Sequence, residues 1–165
     1  MVIASDKGIP SRSWLSEASW NEAKKKLPIP CVDLIIEKQD GATLYGFRKI
    51  APYKDVWALI GGRMLCGESL EDSASRIAGE YGIGISRLFL VGVFPVRFKT
   101  RSDVPVAIAA KSLGDEPRPD GVEFSRIAWL KRRPSKLGAN YRRMLDKWQQ
   151  LSASPETLSN IHLRK

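Results

Sequence analysis

At 165 residues the chain is the size of one domain and long enough to bury a core. Its 43% hydrophobic and 27% charged residues are ordinary for a globular protein. No apolar run approaches the ~18 residues of a membrane span, which argues against a membrane protein. The opening MVIASDKGIPSRSW lacks the apolar core and cleavage site of a secretory signal. Cys31 and Cys66 match no disulfide framework and no zinc spacing, so a reducing cytoplasm is the expected compartment.

Taken in chain order, Trp14 to Leu27 has apolar residues at 14, 15, 18, 23 and 27, which predicts a short helix ended by Pro28 and Pro30. Cys31 to Glu37 is a β-branched run, followed by the turn Gln39-Asp40-Gly41 and a second strand from Thr43 to Arg48. A short strand from Val56 to Ile60 is expected to stop at Gly61-Gly62. Ser69-Leu70-Glu71-Asp72 then has the form of a capping box. Leu70, Ala74, Ile77, Ala78 and Tyr81 recur at helical spacing behind it, and Gly82 and Gly84 close the helix. Further strands are expected at Leu88 to Phe98, Pro105 to Leu113 and Phe124 to Trp129. A closing helix from Asn140 to Leu151 turns Tyr141, Met144, Leu145 and Trp148 inward. A helix inserted among strands argues for an α/β or α+β sandwich.

The net charge of +9 is unevenly placed. From Arg126 to Lys165 ten Lys or Arg face only Asp146 and Glu156, so that segment carries +8 of it. It fits a solvated basic helix and tail, or a surface that attracts nucleic acid or polyphosphate.

Chemistry concentrates in GGRMLCGESLEDSASRIAGEYGI, residues 61–83: a strand end, a glycine-rich loop and a helix with acids on its polar side. Glu80 lies one turn beyond Arg76, on the same helix face. A hard cation such as Mg²⁺ takes carboxylate and carbonyl oxygens, which Glu80 and the Gly61 backbone could supply. Without a ligand, the same residues make a capped surface helix with an Arg–Glu pair.

The segment resembles the Nudix box, in which a glycine, five residues, a glutamate and seven residues precede an arginine and a glutamate cluster. Gly62, Glu68 and Arg76 fall at that spacing. After Arg76 the chain departs from it: Ile77 stands where members carry Glu, and only Glu80 remains of a Glu-Glu pair. The reduced set is most similar to the GDP-mannose mannosyl hydrolase branch. Residues 28–37, Gly46-Phe47-Arg48, Trp57, Gly92-Val93-Phe94 and Ala139-Asn140-Tyr141-Arg142 also resemble landmarks of that branch.

The resemblance implies a single Nudix-type domain over residues 1–165, a mixed β-sheet sandwich with an inserted Nudix helix and flanking helices. Residues 1–27 would be an N-terminal helical segment and 152–165 a basic tail holding the lone His162. It also implies an Mg²⁺-dependent (or Mn²⁺-dependent) hydrolase of a nucleotide sugar or another nucleoside diphosphate compound, GDP-mannose above others. Gly61 and Glu80, with Glu68 as a further candidate, would hold the metal. Arg48 and Arg63 would hold the diphosphate, and Asp33 would act near the leaving group. The branch uses a histidine base beside a metal-binding glutamine before the strand matching Pro105 to Leu113. This chain has neither there, so Asp103 is the expected substitute. Attack at the sugar carbon and at phosphorus both stay open. The competing reading is a Nudix-fold module that binds nucleotide or RNA with little catalysis. A homodimer is compatible with either.

Overall fold

The computed structural model describes residues 16–163. Its elements run α1 Glu17–Lys26, β1 Ile29–Glu37, β2 Thr43–Arg48, β3 Trp57–Ala58, β4 Ile60–Arg63, α2 Leu70–Glu80, β5 Ile85–Val93, β6 Val96–Arg97, β7 Ser102–Ser112, β8 Phe124–Leu130, α3 Ala139–Ser152 and α4 Pro155–Ile161. Trp14 and Leu15, counted toward the first helix, lie outside the described residues, as do Arg164 and Lys165.

The sheet is mixed and centred on β1. One side of β1 runs parallel to β7 from Ile29–Asp103 to Glu37–Lys111. The other side pairs antiparallel with β4 and then, at Glu37, with β2, so the sheet forks along this edge. β1 is paired along both edges, and with helices packed on both faces of the sheet Val32, Leu34, Ile35 and Ile36 are all fully buried. The continuous apolar run in the sequence has this cause.

Register assigns the faces. Val32 sits opposite Gly62, and Gly62 packs against Ile77 of α2, so the even-numbered side chains of β1 face α2. Asp33 and Glu37 project to the opposite face, where Trp148 of α3 donates its indole N–H to Glu37 Oε1 at 3.0 Å. Thus α2 covers one face and α3 the other, which is the expected mixed sheet with an inserted helix and flanking helices.

The strands expected from Leu88 and from Pro105 each begin three residues earlier, and the strand expected over Val56 to Ile60 is interrupted at Leu59. Three larger differences from the sequence reading stand out. Gly61 and Gly62 do not stop a strand; they form β4 opposite Asp33 and Val32. With no side chain to clash, they let β4 lie close against β1 and α2. The strand expected over Leu88 to Phe98 breaks after Val93 into β5 and β6. The segment 152–165, expected as a tail, carries α4, and beyond it His162 bridges to Phe89 while the Leu163 N–H reaches the Leu88 carbonyl at 2.8 Å. Its apolar residues Leu158, Ile161 and Leu163 pack on the core, a pattern too short to read as a helix face.

Candidate active site

The loop into α2 is built around a buried carboxylate. Ser69 caps the helix by accepting from the Asp72 N–H at 3.0 Å, and Asp72 Oδ2 accepts from the Ser69 N–H in return. The preceding residue, Glu68, has a side chain only 1% exposed. Its oxygens accept from Arg76 Nε (2.6 Å) and Nη2 (2.9 Å), the Leu65 N–H (3.0 Å) and Ser73 Oγ (2.8 Å). Above all, the Arg76 bonds pull the Glu68 carboxyl down to about 2, so it stays ionised. Arg76 also donates to the Arg63 carbonyl at 2.8 Å and to Glu80 Oε1 at 2.7 Å. One guanidinium therefore ties loop, helix and the end of β4 into a unit.

On the α3 face of the sheet lies a cavity of about 270 Å³. Five of the seven residues singled out from the sequence line it: Asp33, Arg48, Gly61, Arg63 and Asp103. Glu68, in the loop before α2, and Glu80, the last residue of α2, stand outside it. Glu80 is 51% exposed, and its Oε1 is engaged by Arg76.

Each cavity group has a definite setting. Asp33 is buried in the middle of β1, and burial pushes its carboxyl up to about 7; Arg48 opposes that rise, while Glu123 and Asp103 add to it. Arg48 donates Nε to the Pro52 carbonyl at 2.8 Å and pairs through Nη1 with Glu123. Burial raises the Glu123 carboxyl as well, against the pull of Arg48. Asp103 receives Arg101 Nε on both oxygens, at 2.9 and 3.0 Å. The Arg63 guanidinium sits 4.0 Å over the Trp20 ring, a cation–π contact that brings α1 to the cavity. Cys31 also lines it, but burial, helped by Asp103 and Asp33, lifts its thiol to about 12 and keeps it neutral.

Aromatic rings form the far wall. Tyr53 takes φ 66°, rare for a bulky side chain, and its ring is held 5.8 Å from Phe98 and 5.4 Å from Tyr141. Asn140 is 5% exposed and lines the cavity; its Oδ1 has no partner among the described residues. An orphaned buried carbonyl is costly unless a ligand or water supplies a donor.

Glu123 and Arg101 were not singled out from the sequence. Glu123 comes from a loop held by Asp120, whose carboxylate accepts the N–H groups of Val122, Glu123 and Phe124. The Asp-Gly pair at 120–121 signals that turn, but nothing local shows that its carboxylate reaches Arg48.

Solved structures supply the frame for this arrangement. The MutT NUDIX hydrolase from Burkholderia pseudomallei superposes with a TM-score of 0.68 at 25% identity, over 74% of this chain and 98% of that one. The fold is that of the Nudix hydrolases. The NUDIX domain of Shewanella oneidensis NrtR, solved in complex with ADP ribose, aligns at TM-score 0.64 and 18% identity, over 82% of this chain and 98% of that one. By sequence, the low-salt glycan biosynthesis protein Agl8 of Haloferax volcanii is 31% identical over 91 residues, or 54% of this chain. That match spans 57% of the curated relative's length. No family profile matches the chain.

Within the Nudix fold, α2 is the inserted helix. Among the described residues no group of three or more His, Cys, Asp or Glu side chains gathers as a metal cage. The oxygens expected to hold a metal lie on two elements: Glu80 at the end of α2, tied through Arg76 to the end of β4, and the Gly61 backbone within β4. Mg²⁺ is commonly held by one or two carboxylates plus water and substrate phosphate. One carboxylate and one carbonyl make no closed protein cage and would leave most of a hard cation's shell to water and substrate oxygens.

Gly61 has a second duty. A Cβ at this position would collide with Asp33 Oδ1 and lie 2.8 Å from the Val32 carbonyl oxygen. Gly61→Ala is therefore expected to displace the Asp33 carboxylate, costing about 1–3 kcal/mol of stability from overpacking and most of the activity. Chemical denaturation beside a turnover assay checks both. A fully active Gly61→Ala variant would show that the Asp33 position is not critical.

Proposed function

We propose that the chain is a divalent-metal-dependent hydrolase of nucleoside diphosphate compounds, with nucleotide sugars of the GDP-mannose type as the leading substrates. The observation that carries this reading is the cavity that brings Asp33, Arg48, Arg63 and Asp103 together beside the Arg76-braced loop. The ADP ribose in the NrtR domain, a diphosphate joining two sugars, and the glycan biosynthesis role in the name of Agl8 point to the same substrate class.

In this reading Arg63, with Arg48, binds the diphosphate. Asp33 is the group suited to move a proton, because a carboxyl near 7 can exist in either form at neutral pH. Asp103 keeps Arg101 in place with both its oxygens, which leaves it less suited than Asp33 to the base role expected of it. Glu68 braces the loop, because a cation would have to displace Arg76 to reach it. Glu80 and the Gly61 carbonyl would hold Mg²⁺ or Mn²⁺. When bound, the ion offsets negative charge that develops on the diphosphate. The orphaned Asn140 carbonyl and the Tyr53–Tyr141 wall would meet the nucleoside or sugar.

The test is incubation with nucleotide sugars, dinucleoside polyphosphates and nucleoside triphosphates, with and without Mg²⁺. Nucleotide-sugar hydrolysis that needs the ion is expected, and ¹⁸O water then separates attack at carbon, with label in the sugar, from attack at phosphorus. Glu80→Gln should remove most metal-dependent turnover while the protein stays folded; full activity in that variant would place the metal elsewhere.

The reduced carboxylate set favours a second reading, a module that binds nucleotides with little turnover. Tight, metal-independent binding of the same compounds without hydrolysis would select it.

A further inference from the structure

A second concavity, of about 300 Å³, opens beside the cavity and shares Phe98 and Arg101 with it. One wall is the end of α1, with Lys24, Lys25 and Lys26; the other is Arg97, Lys99, Thr100 and Arg101, around the turn between β6 and β7. Six cations line it and no carboxylate does. Glu22 pairs with Lys25 (3.2 Å) and Lys26 (3.1 Å) from outside, and Asp103 holds Arg101. Lys24, Arg97 and Lys99 have no ion pair among the described residues.

Lysines in the last turn of a helix complement its dipole, which explains α1 alone. It does not explain why Arg97 and Lys99, more than seventy residues later, are brought to the same hollow. Like charges gathered in a concave surface repel one another and focus a positive potential into it.

The charge block read from the sequence at 126–165 behaves differently. There Arg126 stacks on Phe47 and Trp57, Lys131 pairs with Asp40, Arg133 pairs with Asp146, and Arg142 binds the Leu137 carbonyl. Arg132, Lys136, Arg143 and Lys147 of that block have no ion pair among the described residues either, so the groove is set apart by gathering its cations in one hollow whose lining holds no carboxylate.

We infer that this groove is a phosphate subsite that grips a phosphate-bearing extension of the ligand held in the neighbouring cavity. The extension follows from reading that cavity as a diphosphate site; the subsite itself stands on its own charges. Two sources share the chemistry: the outer phosphates of an oligophosphate chain, and the phosphodiester that follows the first nucleotide of an oligonucleotide.

The test compares wild type with a Lys24→Glu, Arg97→Glu, Lys99→Glu triple variant, and with the milder triple glutamine variant. The probes are inorganic tripolyphosphate, a nucleoside tetraphosphate and a 5′-phosphorylated hexanucleotide, each titrated at several salt concentrations. Tripolyphosphate affinity should fall about ten-fold or more in the charge-reversed variant, and its dependence on salt concentration should weaken. Whichever of the other two probes loses affinity in parallel identifies the source. Turnover of a nucleoside diphosphate sugar should stay at the wild-type level in both variants. Tripolyphosphate binding of unchanged strength and salt slope in both variants overturns the subsite. Absence of nucleotide-sugar hydrolysis in wild type, with charge-dependent tripolyphosphate binding intact, would instead sink the hydrolase reading and leave the subsite standing.

Discussion

Asp33→Asn is expected to lower turnover by about 10²–10⁴-fold, the usual cost of losing a proton-transfer group, and to make the protein more stable at pH 8. Both effects come from the same burial. In the fold the Asp33 carboxyl is raised to about 7, well above the ~3.9 of an unfolded aspartate. A raised acid contributes its stability fully below the unfolded value and loses it as pH rises through the folded one. Wild type should therefore weaken between about pH 4 and 7 and carry the full cost of a buried anion at pH 8. Asparagine keeps the shape and removes the charge. Its melting temperature should vary less over that interval, with a residual slope from Glu123, whose carboxyl is raised in the same direction. Melting curves at pH 5 and 8, together with a turnover assay, decide the matter. An inactive variant with an unchanged stability profile would mean that Asp33 is already ionised and stabilised by Arg48.

The largest stability effect is expected at Arg76. Arg76→Leu leaves the Glu68 carboxylate, 1% exposed, without its cation, and breaking a buried pair from one side costs about 3–5 kcal/mol. For a domain of this size that is about 6–20 °C in melting temperature. An exposed ion pair would cost under about 1 kcal/mol, so the two cases are easily separated. Glu68 is held near 2 by Arg76, so its contribution is present above the ordinary carboxylate range and lost as pH falls through about 2. The acid limb of the stability curve should flatten in the variant. Adding Glu68→Gln should recover part of the loss, because the stranded charge is then gone. A drop of less than 1 kcal/mol in the single variant would mean that the loop holds without this bridge.

The elements read well from sequence are those governed by local chemistry. The capping box at Ser69–Asp72, the apolar face of α2 and the inward side of α3 each follow from neighbours within a few residues, and each forms as expected. Gly61-Gly62 departs from the sequence expectation because glycine signals a stop when only the local chain is considered. What decides its place is Asp33 and Ile77, distant residues that leave no room for a side chain. The same limit applies to the candidate site. Asp33, Arg48, Arg63 and Asp103, which the family resemblance implies, converge on one cavity. Glu123 reaches Arg48 across 75 positions, and the basic groove joins the end of α1 to a turn between two later strands. No window along the sequence spans such pairs.

The docking of residues 155–163 on β5 has a consequence for behaviour in concentrated solution. β5 ends the main path of the sheet, and a border strand offers unpaired N–H and C=O groups on which a foreign strand can template. Here the bridge from Phe89 to His162 and the bond from Leu163 to the Leu88 carbonyl occupy part of that border. The segment acts as a selvedge: stitched along the free margin, it hinders one molecule from being woven onto the next.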